Sequence, residues 1–179
     1  MTDARTPGSR TPSAAGVRRS APTDLTRAAA QRYLPPGEPG AADASPGGQL
    51  AVAAKRDPLR VAAAYLRTRL TYRFDDLAGY TAALTAPTFS TPAFAARSRP
   101  SAAALARLAA ARETSAVRVG GAELQGEAPN SARARYVVVS CTVTTAYRGG
   151  GHTAPALWTL RLLRGARGQW RVDGVLSTD

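Results

Sequence analysis

The stretch RARYVVVSCTVTTAYRGGGHTAPALWTLRLLR, residues 133–164, holds the strongest β-strand pattern of the chain. Side chains at 133–148 alternate with a period of two, and so do those at 154–164, as in strands with one buried face. The glycines between the two runs suit a hairpin turn, because glycine adopts positive φ angles without steric cost. The predicted inward positions are Val137, Val139, Cys141, Val143, Tyr147, Ala156, Trp158, Leu160 and Leu162.

Two further runs with the same period flank this hairpin. In SAVRVGGAELQGEA, residues 115–128, valines alternate with polar residues, and Gly120–Gly121 indicates a bulge. In QWRVDGVLS, residues 169–177, Trp170 and Val172 are predicted to face inward. Short turn-rich segments separate the runs, so the sequence predicts four antiparallel strands arranged as a meander.

A long helix is predicted before the strands. Asp57 suits the N-cap position, and Pro58 suits the first helical position, where its missing N–H costs nothing. Apolar residues then recur with helical spacing and form one stripe. Its members are Leu59, Ala62, Ala63, Leu66 and Leu70.

Shorter helical segments are predicted to follow. FDDLAGYTAAL, residues 74–84, reads as a second helix, and Thr91 before Pro92 can start another short turn. Ser101 caps the alanine-rich residues 102–114. That last helix is expected to bury Leu105, Leu108 and Ala109.

Helices followed by strands indicate the α+β class. The predicted fold has N-terminal helices packed on a curved four-stranded antiparallel sheet, of the cystatin-like or cone-like kind. Residues 1–49 are rich in Pro, Gly, Ala, Ser and Thr and poor in large apolar side chains, which predicts a disordered tail. The folded domain is therefore expected at residues 50–179.

The chain is strongly basic, with 24 Lys and Arg residues against 12 Asp and Glu residues and a net charge of +12. A positive field favours anionic partners such as nucleic acid or a membrane surface. Arginine greatly outnumbers lysine, and Ala, Gly and Pro are abundant, as in proteins from GC-rich, actinobacterial genomes. A basic surface without a nucleic-acid motif is also typical of many ordinary domains.

The cellular location is predicted from what the sequence lacks. A single cysteine, Cys141, excludes an internal disulfide, and no run reaches the roughly 18 apolar residues of a membrane span. The first residues show no apolar segment of the secretory type. The expected location is the cytoplasm, with peripheral membrane association if a membrane partner holds the protein.

The stretch YRGGGHTAPA, residues 147–156, superficially resembles a catalytic loop, because three glycines precede the one histidine of the sequence. A phosphate-binding loop of the P-loop type needs a Lys and a following helix, and neither is present here. The stretch is therefore interpreted as a turn, with His152 at its solvent-exposed tip. Cys141 is interpreted as a small buried apolar residue.

The order of elements and a few residues resemble a known family. The residues concerned are Tyr72, Asp75 and Asp76 after the first helix and the terminal Trp170–Val172 pattern. Residues 50–179 resemble the nuclear transport factor 2-like cone fold. They are similar in particular to actinobacterial conjugation proteins related to the type IV secretion assembly factor and to Mce-associated proteins. Such proteins carry a transmembrane helix before the domain, where this chain has the Pro- and Gly-rich residues 35–49.

The resemblance implies a non-catalytic assembly or accessory protein that acts by protein–protein contacts, through the sheet face or an edge strand. The expected context is conjugative transfer or a cell-envelope transport complex, with components of a membrane-embedded complex as partners. Relatives of this fold often pair sheet to sheet, which suggests a homodimer. No catalytic set, cofactor or metal site is predicted.

Two alternatives stay open. The first is a small-molecule-binding protein or isomerase-like enzyme that uses a cavity between sheet and helices, as some proteins of the fold do. Its candidate cavity residues are Tyr72, Asp75, Asp76, Tyr80 and Tyr147. The second is a nucleic-acid-binding accessory protein with a basic patch on the sheet. The candidate patch consists of Arg133, Arg135, Arg161, Arg164, Arg167 and Arg171.

Overall fold

The five strands of one antiparallel sheet follow each other in chain order. The computed structural model describes residues 50–86 and 88–178, with side chains up to residue 176. In this part of the chain the sheet order is β1-β2-β3-β4-β5, and the sheet is curled. The strands are β1 (Tyr72–Arg73), β2 (Thr114–Leu124), β3 (Ala134–Tyr147), β4 (Gly150–Arg164) and β5 (Trp170–Thr178). The α+β class is confirmed, and the predicted tail 1–49 lies outside the described residues.

In the described part of the chain, the sheet has five strands, one more than the predicted four. The short β1 pairs with the start of β2, with Tyr72 opposite Ser115 and Arg73 opposite Thr114. Two residues are too few to show an alternating pattern, so sequence periodicity does not reveal this strand. Its position is fixed by the end of the preceding helix.

The β3–β4 hairpin is the longest pairing of the sheet and confirms the predicted turn. Tyr147 pairs with Gly150, which leaves Arg148 and Gly149 as the turn residues. Gly149 has φ +95°, a conformation that favours glycine. The pairing extends further than the sequence indicated, because His152 lies within β4 opposite Thr145 rather than in a loop. Its side chain is exposed, as expected.

Bulges accompany the curl of the sheet. The β2–β3 register shifts between Val119 and Gly121, which confirms the bulge predicted at the glycine pair. A Cβ atom at Gly120 would lie 3.1 Å from the Ser140 hydroxyl oxygen, so the close approach of the strands favours glycine. Two further register shifts occur between β4 and β5.

Each of the four α-helices in the described ranges begins at a side-chain cap, whereas the short 3-10 helix Ala54–Arg56 before them has none. Asp57, Asp76, Thr91 and Ser101 each accept a hydrogen bond from a backbone N–H of the first turn. Such caps satisfy donors that have no partner inside the helix. The helices are α1 (Pro58–Leu70), α2 (Leu77–Thr85), α3 (Pro92–Arg97) and α4 (Ala102–Ala111).

Helix α1 supplies the helical side of the core. It packs against β2, β3 and β5 of the sheet and against α2. Of the predicted stripe, Leu70 is partly buried and the other four residues are buried, but Val61, Ala64 and Tyr65 are buried as well, so α1 is enclosed on more than one side. Opposite it, the inward valines and leucines of the sheet have no solvent exposure. These are Val137, Val139, Leu160, Leu162 and Val172.

Helix α4 differs from the prediction. Leu105 and Leu108 are half-buried, Ala109 is exposed, and no α4 residue is fully buried. An alanine-rich face offers little apolar area, so burying it contributes little free energy. The helix therefore lies at the surface, although its sequence shows the spacing of a buried helix.

The segment before α3 covers part of the β5 edge. The Thr91 N–H donates to the Val172 carbonyl oxygen at 2.8 Å, and the Val172 N–H donates to the Phe89 carbonyl oxygen at 2.6 Å. The Thr91 hydroxyl also donates to the Asp173 carboxylate at 2.9 Å. These bonds occupy backbone groups that an edge strand would otherwise offer to another chain.

Truncation of two leucines tests this division between core and surface helices. Leu66→Ala is expected to lower the free energy of unfolding by about 3 kcal/mol, since it opens a cavity in the enclosed side of α1. Leu105→Ala, with the same chemical change on α4, is expected to cost less than about 1 kcal/mol. Urea denaturation followed by circular dichroism measures both. Equal losses would show that α4 is as firmly packed as α1.

Candidate functional site

A basic cleft is lined by the end of α1, by β1, α2 and α4, and by the α3–α4 connection. Its volume is about 630 Å³, within the range typical of small-molecule sites. Eight of the twelve lining residues have polar or charged side chains, and the other four are apolar. They are Arg69, Tyr72, Tyr80, Arg97, Ser98, Arg99, Pro100, Ala104, Arg107, Leu108, Ala111 and Glu113.

The chain brings Tyr72 to Glu113 through strand pairing. Arg112 ends α4 in the left-handed conformation, with φ +50°, and turns the chain toward β2. Glu113 comes directly before the residues of β2 that pair with β1. The Tyr72 hydroxyl then donates a short hydrogen bond to the Glu113 carboxylate. A contact between residues 41 positions apart is thus set by the register of a two-residue strand.

Tyr80 forms the neighbouring wall of the cleft. Its ring centroid lies 5.2 Å from that of Tyr72, with the rings tilted by 48°. Its hydroxyl donates to the Arg69 carbonyl oxygen at 2.9 Å. This bond connects α2 to the last turn of α1. The rings of Tyr72 and Tyr80 lie next to each other, in a tilted arrangement, beside the cleft.

Burial and a neighbouring carboxylate keep the Tyr72 hydroxyl protonated. Burial raises the pKa of Tyr72 most, and the hydrogen bond and negative charge of Glu113 raise it further. Burial also raises the pKa of Tyr80, while the positive charge of Arg69 acts in the opposite direction. Both tyrosines are therefore hydrogen-bond donors at neutral pH rather than bases.

Four arginines give the cleft its charge. Arg69 lies in the last turn of α1, Arg97 ends α3, Arg99 follows in the connection, and Arg107 lies on α4. Glu113 is the one carboxylate among the lining residues, which leaves an excess of three positive charges. Guanidinium groups stay protonated at all ordinary pH values and bind oxyanions through two parallel N–H donors. The arrangement favours binding of an anion over proton transfer.

The structure brings together two of the five predicted cavity residues. Tyr72 and Tyr80 line the cleft, whereas Asp75, Asp76 and Tyr147 do not. The exposed Asp75 carboxylate accepts two hydrogen bonds from the Arg73 guanidinium, at 2.9 and 2.8 Å. Asp76 accepts from the Gly79 N–H as the cap of α2. Tyr147 is 44% exposed at the β3–β4 turn, where its ring lies 6.4 Å from that of His152.

Five further residues of the cleft were not predicted. Arg69, Arg97, Arg99, Arg107 and Glu113 come from four separate segments of the chain. Nothing in their spacing distinguishes them from the other arginines and acids of a basic protein. The clustering of Arg97 and Arg99 before the Ser101 cap is the one local signal that a charged surface lies there.

The six predicted patch arginines gather near one end of the sheet but do not share a face. The pairing register puts Arg135 and Arg164 on the side of the inward residues and Arg161 and Arg171 on the other. Arg133 and Arg167 lie in exposed turns. Two of the six have structural partners, since Arg161 lies 3.6 Å from the Asp173 carboxylate and Arg164 lies 5.9 Å from the Trp170 ring centroid.

Cys141 is buried as predicted, with 5% of its surface exposed, and burial raises the pKa of its thiol.

Within the part of the chain that the structure describes, His, Cys, Asp and Glu side chains form no group of three or more that could bind a metal ion. In residues 50–86 and 88–178, no helix has the length and apolar character needed to cross a bilayer.

Comparison with protein-family models, with curated proteins and with solved structures finds no match for the chain.

An alkaline titration tests the environment of Tyr72. A pKa raised above the ordinary value of 10.0 means that the folded state keeps a proton that the unfolded state loses. The stability gained from Tyr72 is therefore complete below pH 10 and is expected to fall as the pH rises further. Unfolding free energies measured between pH 8 and pH 11 should decrease less steeply in Tyr72→Phe than in the wild type.

Glu113→Gln serves as the matched variant for this titration. It keeps a hydrogen-bond acceptor but removes the negative charge, so the pKa of Tyr72 should fall toward its ordinary value. Tyrosinate absorbance measures the change. An identical titration curve in both proteins would mean that Glu113 does not act on Tyr72.

Proposed function

We propose that this chain is a non-catalytic assembly or accessory protein that acts through protein–protein contacts made by the outer face of its sheet. The observation that carries the proposal is the exposure of a large apolar side chain on that face. Leu157 of β4 is 45% exposed, and Val138 of β3, on the same face, is half-buried. Exposed apolar groups that lie close together are a common feature of interaction surfaces.

The strand register places these two residues in one area. Val138 of β3 lies opposite Thr159, and Leu157 precedes Thr159 by two positions on the same face of β4. On the other side of Thr159, Ser177 of β5 pairs with it. Thr159 itself is 9% exposed. We call Val138, Leu157 and Thr159 the outer patch.

A second copy of the chain is the partner that the outer patch fits best. The face of an antiparallel sheet presents regularly spaced side chains, and two copies can pack such faces about a twofold axis. The β5 edge offers less to a partner, since the segment before α3 already bonds to it at Val172. The proposed contact is therefore face to face rather than edge to edge.

The proposed biological context is conjugative transfer or a cell-envelope transport complex. It is supported by the resemblance of residues 50–179 to domains that work in such complexes, as set out from Tyr72, Asp75, Asp76 and the Trp170–Val172 pattern. In this context a cytoplasmic protein would associate with the membrane through a membrane-embedded partner. Fold resemblance supports this context by analogy only.

The alternatives receive less support from the geometry. The isomerase-like hypothesis needs a carboxylate free to act in a cavity, but Asp75 and Asp76 are exposed and already accept hydrogen bonds from Arg73 and Gly79. The nucleic-acid hypothesis needs a continuous basic surface. The six arginines of the predicted patch are divided between two faces and two turns.

Charge placed in the outer patch tests the proposed contact. The wild type is expected to form dimers in analytical ultracentrifugation, and Leu157→Arg is expected to shift it to monomers, because a buried unpaired charge is costly. Val52→Arg is the matched control, since Val52 is 61% exposed and lies before α1, outside the sheet. A monomeric wild type, or dimers that persist in Leu157→Arg, would contradict contact through this face.

Cell fractionation tests the proposed context separately. The tagged full-length protein is expected to stay with the membrane fraction through a high-salt wash, which removes proteins held by charge alone. Leu157→Arg should release it if the outer patch also contacts the membrane partner. Complete recovery of the wild type in the cytosol would remove the support for a membrane-embedded partner.

A further inference from the structure

We propose that the basic cleft binds a small, multiply charged oxyanion with an organic part, such as an organic phosphate or a polycarboxylate. The binding groups are the guanidinium groups of Arg69, Arg97, Arg99 and Arg107. This site shares no residue with the outer patch and does not depend on the proposed assembly function.

The concentration of like charge is the first argument. Four arginines line one cleft with a single acidic residue, and Glu113 already accepts the Tyr72 hydroxyl. Like charges brought together repel one another, and the repulsion is stronger beside protein than in free solution. An anion in the cleft removes that repulsion. Arginine is suited to this role because its planar donors match the oxygens of phosphate and carboxylate groups.

Existing contacts hold two of the arginines in place. The Arg97 guanidinium lies 6.0 Å from the Phe94 ring centroid and donates to the Asp173 carbonyl oxygen at 3.5 Å. Arg69 follows the buried part of α1 and lies beside the hydroxyls of Tyr65 and Tyr80. Groups positioned before binding lose less conformational freedom when the ligand arrives.

A buried hydroxyl beside the cleft is the second argument. Tyr65 is 2% exposed, and its hydroxyl has no hydrogen bond of normal geometry among the residues that the structure describes. The residues nearest to it include Arg69 and Ser98, which both line the cleft. Tyr65 does not itself line the cleft, so its hydroxyl can act on a ligand only through Arg69 and Ser98, whose side chains lie beside it.

The remaining walls indicate the kind of ligand. Tyr72 and Tyr80 present aromatic surface, and Leu108, Ala104 and Pro100 present aliphatic surface. A bare inorganic ion would leave these walls uncovered, whereas an organic anion would cover them and gain from their burial. The volume of about 630 Å³ is suited to a small molecule rather than a polymer.

Isothermal titration calorimetry on the full-length protein tests the proposal, with pyrophosphate and citrate as probes. Each represents one source of the proposed charge, so the stronger binder identifies phosphate or carboxylate chemistry. Saturable binding of at least one probe is expected in the wild type. The double variant Arg99→Gln, Arg107→Gln should weaken it at least tenfold, and both side chains are exposed, so the fold should tolerate the change.

Two further variants distinguish a site from the general field of a basic protein. Arg133→Gln, Arg167→Gln removes the same charge from exposed turns of the sheet and should leave binding within twofold. Ala104→Trp keeps every charge but fills the cleft, and it should abolish binding. Thermal melts establish that each variant is folded.

Three results would overturn the proposal: no saturable binding of either probe, equal weakening by the two double variants, or unchanged binding in a folded Ala104→Trp protein. None of these results bears on dimer formation through the outer patch. The two proposals can therefore fail independently.

Discussion

The packing of α1 against the inner face of the curled sheet is the contact on which the other features depend. From Leu59 to Leu66 nearly every side chain of α1 is buried, and the facing residues of β3, β4 and β5 are fully enclosed. Burial of apolar surface at roughly 25 cal/mol per Å² is the main source of stability in a domain of this size. Because this packing holds α1 in place, it also holds the C-terminal end of the helix. That end places Arg69, β1 and α2 around the cleft.

The two proposed surfaces differ in how they are built. The outer patch is a consequence of regular strand pairing, since alternation along β3 and β4 necessarily places some residues away from the core. The cleft arises where regular structure is interrupted, between the C-terminal end of α1 and the loosely packed α4. A surface of the first kind suits another protein, and an indentation of the second kind suits a small ligand.

The fold determines which of the positive charges lie close enough together to bind one ligand. A net charge of +12 by itself implies only a general attraction for anions. The fold divides that charge into arginines tied to structural partners, such as Arg161 and Arg164, and arginines that border a common space, such as Arg99 and Arg107. Only arginines that border the common space, including Arg97 with its contacts to Phe94 and Asp173, can contribute to selective binding, because selectivity needs several donors at fixed positions around one ligand.

Local patterns in the sequence were sufficient for the helix caps, the β3–β4 hairpin, the bulge at Gly120 and the inward positions Trp170 and Val172. Each depends on neighbouring residues, through side-chain capping, turn geometry or the two-residue period of a strand. The strand β1, the surface position of α4 and the cleft depend on contacts between distant segments. Tyr72 and Tyr80, which the sequence offered as candidates, line the cleft, but Glu113 and the four arginines meet them only through tertiary packing. The sequence thus determined the elements and most of the core, and the tertiary structure decided which charges share a site.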